Sequence, residues 1–114
     1  MENYNLILSE DVMTLAENLN VVPSGSQIHV NGYAFADSEY EGKAYTIAYL
    51  STEYGLLYTG KKACVEKIMA AAKLNPNSPL EFTVMYRKTP FGVVPALLYK
   101  PSTMVTNTDT IFNG

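Results

Sequence analysis

Five segments of the chain are rich in β-forming residues, and apolar and polar residues alternate along some of them, which predicts five β-strands. The clearest segment is LEFTVMYRK, in which apolar residues occupy every second position from Leu80 to Tyr86. The predicted strands are residues 27–36, 43–51, 56–59, 80–88 and 93–100. Gly32 within the first strand indicates a bulge or a bend, and Pro95 within the last strand indicates an edge or a bulge.

Two other segments have a helical period. Residues 60–74 contain no proline and many good helix formers, with an apolar stripe that includes Val65 and Ile68. Residues 9–20 form a second amphipathic segment, which Ser9 can cap. The predicted order is therefore helix, three strands, helix and two strands.

Three strands, a helix and two further strands are the layout of the oligonucleotide-binding (OB) barrel. We therefore predict a mainly β protein with a five-stranded OB-like barrel and an added N-terminal helix. The length of 114 residues indicates one domain, with a helical segment at 1–22, the barrel at 24–100 and a flexible tail at 101–114. An open α+β sheet with two helices has the same order of elements and stays an alternative.

Charge is distributed unevenly along the chain. The net charge is −3, yet residues 1–60 carry eight acidic residues and one lysine, whereas residues 61–114 carry seven basic and three acidic residues. Such asymmetry predicts a basic surface on an acidic protein. Charges that are simply scattered for solubility would give the same counts.

The remaining composition indicates a cytoplasmic protein without a cofactor. No apolar run is long enough to cross a membrane, and the acidic N-terminus is unlike a secretory signal. The single cysteine, Cys64, excludes an intramolecular disulfide and a cysteine-based zinc cluster, and we expect it to be buried. We predict no metal ion and no other cofactor.

Three stretches of the chain resemble the small phage-encoded single-stranded DNA-binding proteins of the OB class. They are SGSQIHVNGYAFAD as a first barrel strand, GKAYTIAYLSTEYGLLYTG as a hairpin and LEFTVMYRKTPFGVVPALLYK as a closing hairpin, within residues 24–100. The resemblance implies binding of single strands across the second and third strands, often by a dimer, in the cytoplasm of a bacterial host. This sequence lacks the long acidic tail of bacterial relatives, and only Asp109, Ile111 and Phe112 are similar to its tip.

Aromatic and basic residues supply the chemistry that a single strand needs, namely flat faces for its bases and cations for its phosphates. Tyr45 and Tyr49 share one face of the predicted second strand, where neighbouring residues of one face are roughly 6.5–7 Å apart. The predicted binding residues are Tyr33, Phe35, Lys43, Tyr45, Tyr49, Tyr58, Lys61, Lys62, Arg87, Lys88 and Phe91. Because every barrel strand has one inward face, we expect about half of these rings in the core, and the exposed face of residues 43–51 stays open.

We therefore predict a homodimer that binds single-stranded DNA with little sequence preference, in phage DNA replication or recombination, alongside host or phage replication proteins. Catalysis is not predicted, because no nucleophile or paired carboxylate accompanies the only histidine, His29. The alternative is a protein-binding module, such as a phage inhibitor of a host enzyme or defence system, since exposed tyrosines also suit protein recognition. Cations that converge on the tyrosine face favour nucleic acid, and an acidic tyrosine face favours protein.

Overall fold

The computed structural model describes residues 3–99, and its elements follow the predicted order closely. Helix α1 spans Glu10–Leu15, strand β1 spans Glu17–Asn18, and a 3-10 helix spans Leu19–Val21. The further elements are β2 Ser26–Tyr40, β3 Lys43–Thr52, β4 Gly55–Thr59, α2 Lys62–Leu74, β5 Leu80–Thr89 and β6 Gly92–Tyr99. The last residue of the predicted barrel, 100, and the predicted tail, 101–114, lie outside the described residues.

The strands form one curled, half-barrel sheet in the order β1-β4-β3-β2-β5-β6. β1 runs parallel to β4, and the other neighbours are antiparallel. The predicted mainly β fold is confirmed. The sheet has six strands where five were predicted, because residues 17–18 pair with Leu57 and Tyr58.

Helix α1 ends earlier than the period of residues 9–20 predicts. Its N-terminus is capped as expected, with the Ser9 hydroxyl accepting a hydrogen bond from Val12 N–H at 3.2 Å. None of its residues is buried, so tertiary packing does little to extend the helix. The Asn18 side chain then caps the 3-10 helix, and Leu19 enters the core.

Strand β2 is long enough to pair with two neighbours. Its first part, Ser26–Val30, pairs with β5, and its longer second part pairs with β3. The register shifts between Val30 and Gly32, which confirms the bulge predicted at Gly32. The extra residue reverses the alternation, so even-numbered side chains face the core before the bulge, and Tyr33 and Phe35 face it afterwards.

Helix α2 packs against the sheet and completes the hydrophobic core. Its buried residues are Cys64, Val65, Ile68 and Ala71. The rest of the core cluster is Leu19, Val22, Ile28, Val30, Tyr33, Phe35, Ala48, Leu50, Leu57, Leu80, Phe82, Val84 and Leu97. The predicted burial of Cys64 is confirmed, and this burial raises the pKa of its thiol, so the thiol stays protonated near neutral pH.

Pro95 lies in the edge strand β6, as its presence in a strand predicts. Proline has no N–H group to offer a further strand. The Pro95 carbonyl accepts a hydrogen bond from Cys64 Sγ of α2 at 3.5 Å. Both features leave this edge a poor template for further strand pairing.

The N-terminal segment, residues 3–15, begins along the part of the β2 edge that does not pair with β5. Tyr4 and Tyr33 exchange two backbone hydrogen bonds of 2.8 and 2.7 Å, and their ring centroids lie 5.6 Å apart. Gly32 permits this approach, since a Cβ atom there would lie 2.5 Å from the carbonyl oxygen of Asn5. The bulge therefore turns Tyr33 and Phe35 towards the core, and the glycine lets the N-terminal segment approach β2.

Candidate nucleic-acid interface

Strand β3 presents its tyrosines on the outer face of the sheet. Ala48 and Leu50 belong to the core cluster, and side chains alternate along a strand, so Tyr45 and Tyr49 point the other way. Tyr49 pairs with Tyr58 of β4, and the two ring centroids lie 6.4 Å apart. The structure thus brings three predicted aromatic residues together on one face.

These three rings differ in how much of their surface a ligand can reach. Tyr45 is 39% exposed, Tyr58 is half-buried and Tyr49 is only 7% exposed. Burial, followed by the nearby Tyr45 and Tyr58 hydroxyls, raises the pKa of Tyr49. Tyr45 is therefore the ring with a free face, whereas Tyr49 packs within the aromatic row.

Tyr33 and Phe35 belong to the core. Both side chains are buried in the core cluster, and their ring centroids lie 5.9 Å apart. The bulge at Gly32 turns them inward. A ring buried in the core offers no face to a base, so the structure does not bring these two predicted residues to the tyrosine face of β3.

Gly60 lies close to the Tyr45 ring and two residues before the start of α2. A Cβ atom at Gly60 would lie 3.7 Å from the Tyr45 ring, so the glycine leaves the ring close to the backbone. A cavity of about 330 Å³ opens here, and its lining includes Tyr45, Gly60, Lys62 and Glu66. One predicted aromatic residue and one predicted cation therefore share this cavity.

A second cavity, of about 550 Å³, also has Gly60 in its lining. Its further lining includes Lys61, Phe91, Asn18, Asn20 and Tyr86. Phe91 is 96% exposed, in the turn between β5 and β6. Because the two cavities share Gly60, we call them together the Gly60 groove.

The turn that carries Phe91 has a pattern that occurs twice in the chain. Residues 89–92 (TPFG) and 52–55 (TEYG) each place an aromatic residue between a threonine and a glycine with positive φ. In each turn the threonine hydroxyl donates to the glycine carbonyl and accepts from the backbone N–H of the aromatic residue. The same local structure therefore holds Phe91 and Tyr54 at exposed turn positions.

Three predicted lysines lie at the groove or on the tyrosine face. Lys62 lines the first cavity, and Lys61 lines the second. Lys43 lies two residues before Tyr45 in β3, so both side chains are on one face of the sheet. The structure therefore places these cations in the same region of the surface as Tyr45, the most exposed of the three rings on this face.

The two predicted cations of β5 lie on opposite faces of the sheet. Lys88 follows Tyr86 by two residues and shares its face, on which Tyr86 lines the second cavity. Arg87 lies between them in the chain and points to the outer face. The structure therefore does not bring Arg87 to the groove.

Acidic residues also lie near the groove. Glu66 lines the first cavity beside Lys62. Glu39 and Glu41 lie in or beside the β2–β3 turn, close in sequence to Lys43. The surface around Tyr45 is therefore mixed in charge, with the lysines concentrated at the start of α2.

The lining residues of the groove that the sequence-based prediction omits include Asn18, Asn20, Gly60 and Tyr86. A signal for Gly60 exists, because a glycine stands directly before two lysines at the start of a helix. The Tyr86 hydroxyl donates to the Val22 carbonyl at 2.7 Å, which ties β5 to the end of the 3-10 helix. Asn18 reaches the groove only through the pairing of β1 with β4, which no local pattern reveals.

A cluster of polar side chains surrounds His29, outside the Gly60 groove. Glu53 accepts a hydrogen bond from His29 N–H at 2.7 Å, and its other oxygen lies 2.6 Å from ring Nδ1. Glu81 Oε2 lies 3.6 Å from Nε2. The hydrogen bond with Glu53 is the main cause that raises the pKa of His29, and the charge of Glu81 acts in the same direction.

We expect His29 to titrate above its ordinary pKa of 6.5. A raised folded-state pKa means that its contribution to the free energy of unfolding is complete below the unfolded-state pKa and is lost as the pH rises through the folded-state pKa. That contribution is small, because more than half of the imidazole is exposed. The chain has one histidine, so the signal of its ring Cε1–H proton is unambiguous and an NMR titration measures its pKa directly.

The Glu53→Gln variant should bring the pKa of His29 down towards 6.5, and Glu81→Gln should lower it by less. A wild-type pKa at or below the ordinary value would contradict the observed pairing, and so would a pKa that Glu53→Gln leaves unchanged.

Comparison of the chain with protein-family models, curated proteins and solved structures found no significant match. Within residues 3–99, none of the helices has the length and apolar character needed to cross a membrane.

Proposed function

We propose that the protein binds single-stranded DNA in the Gly60 groove with little sequence preference, in phage DNA replication or recombination. The observation that carries this proposal is the groove itself. It places two accessible rings, Tyr45 and Phe91, beside the lysines at the start of α2.

Exposed rings and lysines fit the two repeating parts of a single strand. Each base that stacks on an aromatic side chain gains about 1–3 kcal/mol, and stacking tolerates any base because every base has a flat face. Lysines that contact phosphates release counterions, which adds affinity at low salt. Stacking and phosphate contacts together give binding with little sequence preference.

The start of α2 adds a further positive feature to the groove. Lys61 precedes the helix without a side-chain hydrogen bond to its first turn. The backbone N–H groups of that turn carry the positive end of the helix dipole. They lie next to Gly60, where a phosphate between the two cavities would be favourably placed.

The order of the strands supports an OB-like interpretation of the sheet. In OB barrels, oligonucleotides bind across the second and third strands, between the loop that joins strands one and two and the loop that joins strands four and five. If β2 is the first barrel strand, the second and third are β3 and β4, and the loops are the turns before Lys43 and around Phe91. The Gly60 groove lies in this region.

A protein-binding module is the second candidate, and the N-terminal segment favours it. Ile7 and Leu15 are large apolar side chains with most of their surface exposed. A partner protein would cover these apolar side chains and remove them from water. A phage inhibitor of a host enzyme or defence system would use this surface and leave the lysines of the groove without a role.

Titration with oligo-dT at two salt concentrations tests the proposal. The chain has nine tyrosines and no tryptophan, so tyrosine fluorescence reports stacking without interference. We expect quenching on binding and weaker affinity at higher salt, with a log–log slope of about −0.7 for each neutralised phosphate. The absence of binding at low salt would refute the proposal and favour the protein-binding module.

A matched pair of lysine variants in the same titration separates the groove from general surface charge. Lys62→Ala removes a cation from the first cavity, whereas Lys73→Ala removes one from the last turn of the same helix. The two positions are about 16 Å apart along the helix. The slope should become shallower for Lys62→Ala and stay unchanged for Lys73→Ala.

A further inference from the structure

The outer face of β5 and β6 is an uncovered, largely apolar sheet surface. Leu80, Phe82 and Val84 of β5 are buried, so the side chains between them face outward. Met85 is exposed there, and Leu98 of β6 is 54% exposed. Leu98 and Ala96 pair with Thr83 and Met85 in register, so these four residues form one contiguous patch.

Opposite charges flank this patch on β5. Glu81 lies two residues before Thr83, and Arg87 lies two residues after Met85, all on the outward face. The Glu81 carboxylate is half-buried, near Nε2 of His29, and Arg87 is exposed. The outer face of β5 therefore runs from an acid, through a polar and an apolar residue, to a base.

We propose that this face binds the same face of a second copy of the chain. A two-fold axis that lies between the sheets and runs perpendicular to the strands places β5 antiparallel over the partner's β5. Glu81 then meets the partner's Arg87, and Thr83 meets the partner's Met85. A two-fold interface must be self-complementary, and this order of charges fulfils that condition.

Strand β6 fits the same arrangement by the size of its side chains. Leu98 lies beside Thr83, and Ala96 lies beside Met85. The two-fold axis that places Thr83 over the partner's Met85 therefore also places Leu98 over the partner's Ala96. A large side chain thus meets a small one on each side of the axis. Complementary packing of this kind is what a face-to-face sheet contact requires.

A second copy is a better occupant of this face than an added strand. Pairing at the β6 edge would need backbone donors, and Pro95 lacks one, while its carbonyl already accepts from Cys64. Contact through the outer face leaves this edge unchanged. It also leaves Lys88, Tyr86 and the Gly60 groove accessible on the other face of β5.

The interface is small, so the association should depend on protein concentration. Two strands spaced about 4.8 Å apart, each about 25 Å long, present only a few hundred Å² per subunit. Specific interfaces start at about 1,200 Å² in total, and the smallest ones are transient. We expect reversible dimers in the micromolar range of concentrations.

Sedimentation velocity over a range of concentrations tests the proposal with two charge-reversal variants. Arg87→Glu alone and Glu81→Arg alone each place like charges opposite each other, which should raise the dissociation constant of the dimer at least about tenfold. An equimolar mixture of the two variants restores both opposite-charge contacts, so it should dimerise as the wild type does. The Lys88→Glu variant is the matched control, because this neighbouring cation lies on the other face of β5 and its change should leave association unaltered.

Thermal melting of each variant confirms that the substitutions leave the fold intact. The proposal is wrong if the wild type stays monomeric up to high micromolar concentration. It is equally wrong if Arg87→Glu dimerises like the wild type, or if the mixture fails to recover. Loss of the dimer in Leu15→Ser together with retention in Arg87→Glu would assign the second copy to the N-terminal segment instead.

Discussion

Replacing both Tyr45 and Phe91 with alanine is expected to lower the affinity for oligo-dT by at least about thirtyfold. Each ring that stacks on a base contributes about 1–3 kcal/mol, and about 1.4 kcal/mol corresponds to a factor of ten. Each single variant should therefore lose about fivefold or more. Fluorescence or anisotropy titration at constant salt measures these affinities, and the effect concerns binding because both rings are exposed in the structure.

Tyr54→Ala is the control for this experiment. Tyr54 is 43% exposed, close to the 39% of Tyr45, and it occupies the same kind of turn as Phe91. It lies at the opposite end of β3 from Tyr45 and does not line either cavity of the groove. If Tyr54→Ala weakens binding as much as Tyr45→Ala does, stacking is spread over the surface and the Gly60 groove is not the site.

The strands could be predicted from the sequence because most of them have one buried and one exposed face. Alternation then appears directly in the order of residues, and β5 and β6 start or end within one residue of their predicted bounds. The end of helix α1 could not be predicted as well, since its residues gain little from packing and Glu17 and Asn18 pair with β4. A two-residue strand depends on its neighbour in space, and a local period does not show it.

The candidate site could be predicted only where a residue's neighbours in sequence decide its environment. Tyr45 and the lysines at 61–62 fall into this class, because one follows strand alternation and the others begin a helix. Tyr33 depends instead on a bulge that reverses the alternation of β2, and a glycine alone does not tell which way the chain shifts. Arg87 and Lys88 are adjacent in sequence, yet alternation places only Lys88 on the face of β5 from which Tyr86 lines the groove.

The largest loss of stability is expected for Tyr33→Ala. The ring is almost completely buried between Tyr4 and Phe35, and its removal leaves a cavity in the core. Large-to-small substitutions of buried aromatic residues cost about 3–5 kcal/mol, which is a large part of the about 5–15 kcal/mol that stabilises a typical domain. Chemical denaturation followed by circular dichroism measures the change in the free energy of unfolding.

This prediction also decides how a loss of DNA binding in Tyr33→Ala should be interpreted. Tyr54→Ala again serves as the control, since an exposed tyrosine in a turn should change the free energy of unfolding by no more than about 0.5 kcal/mol. If Tyr33 is a core residue, binding of oligo-dT by the variant falls only as its folded fraction falls, and conditions that restore folding restore binding. A variant that unfolds like the wild type but no longer binds would instead show that Tyr33 contacts the DNA. Burial of this ring on the inner side of the β2 bulge predicts the first result.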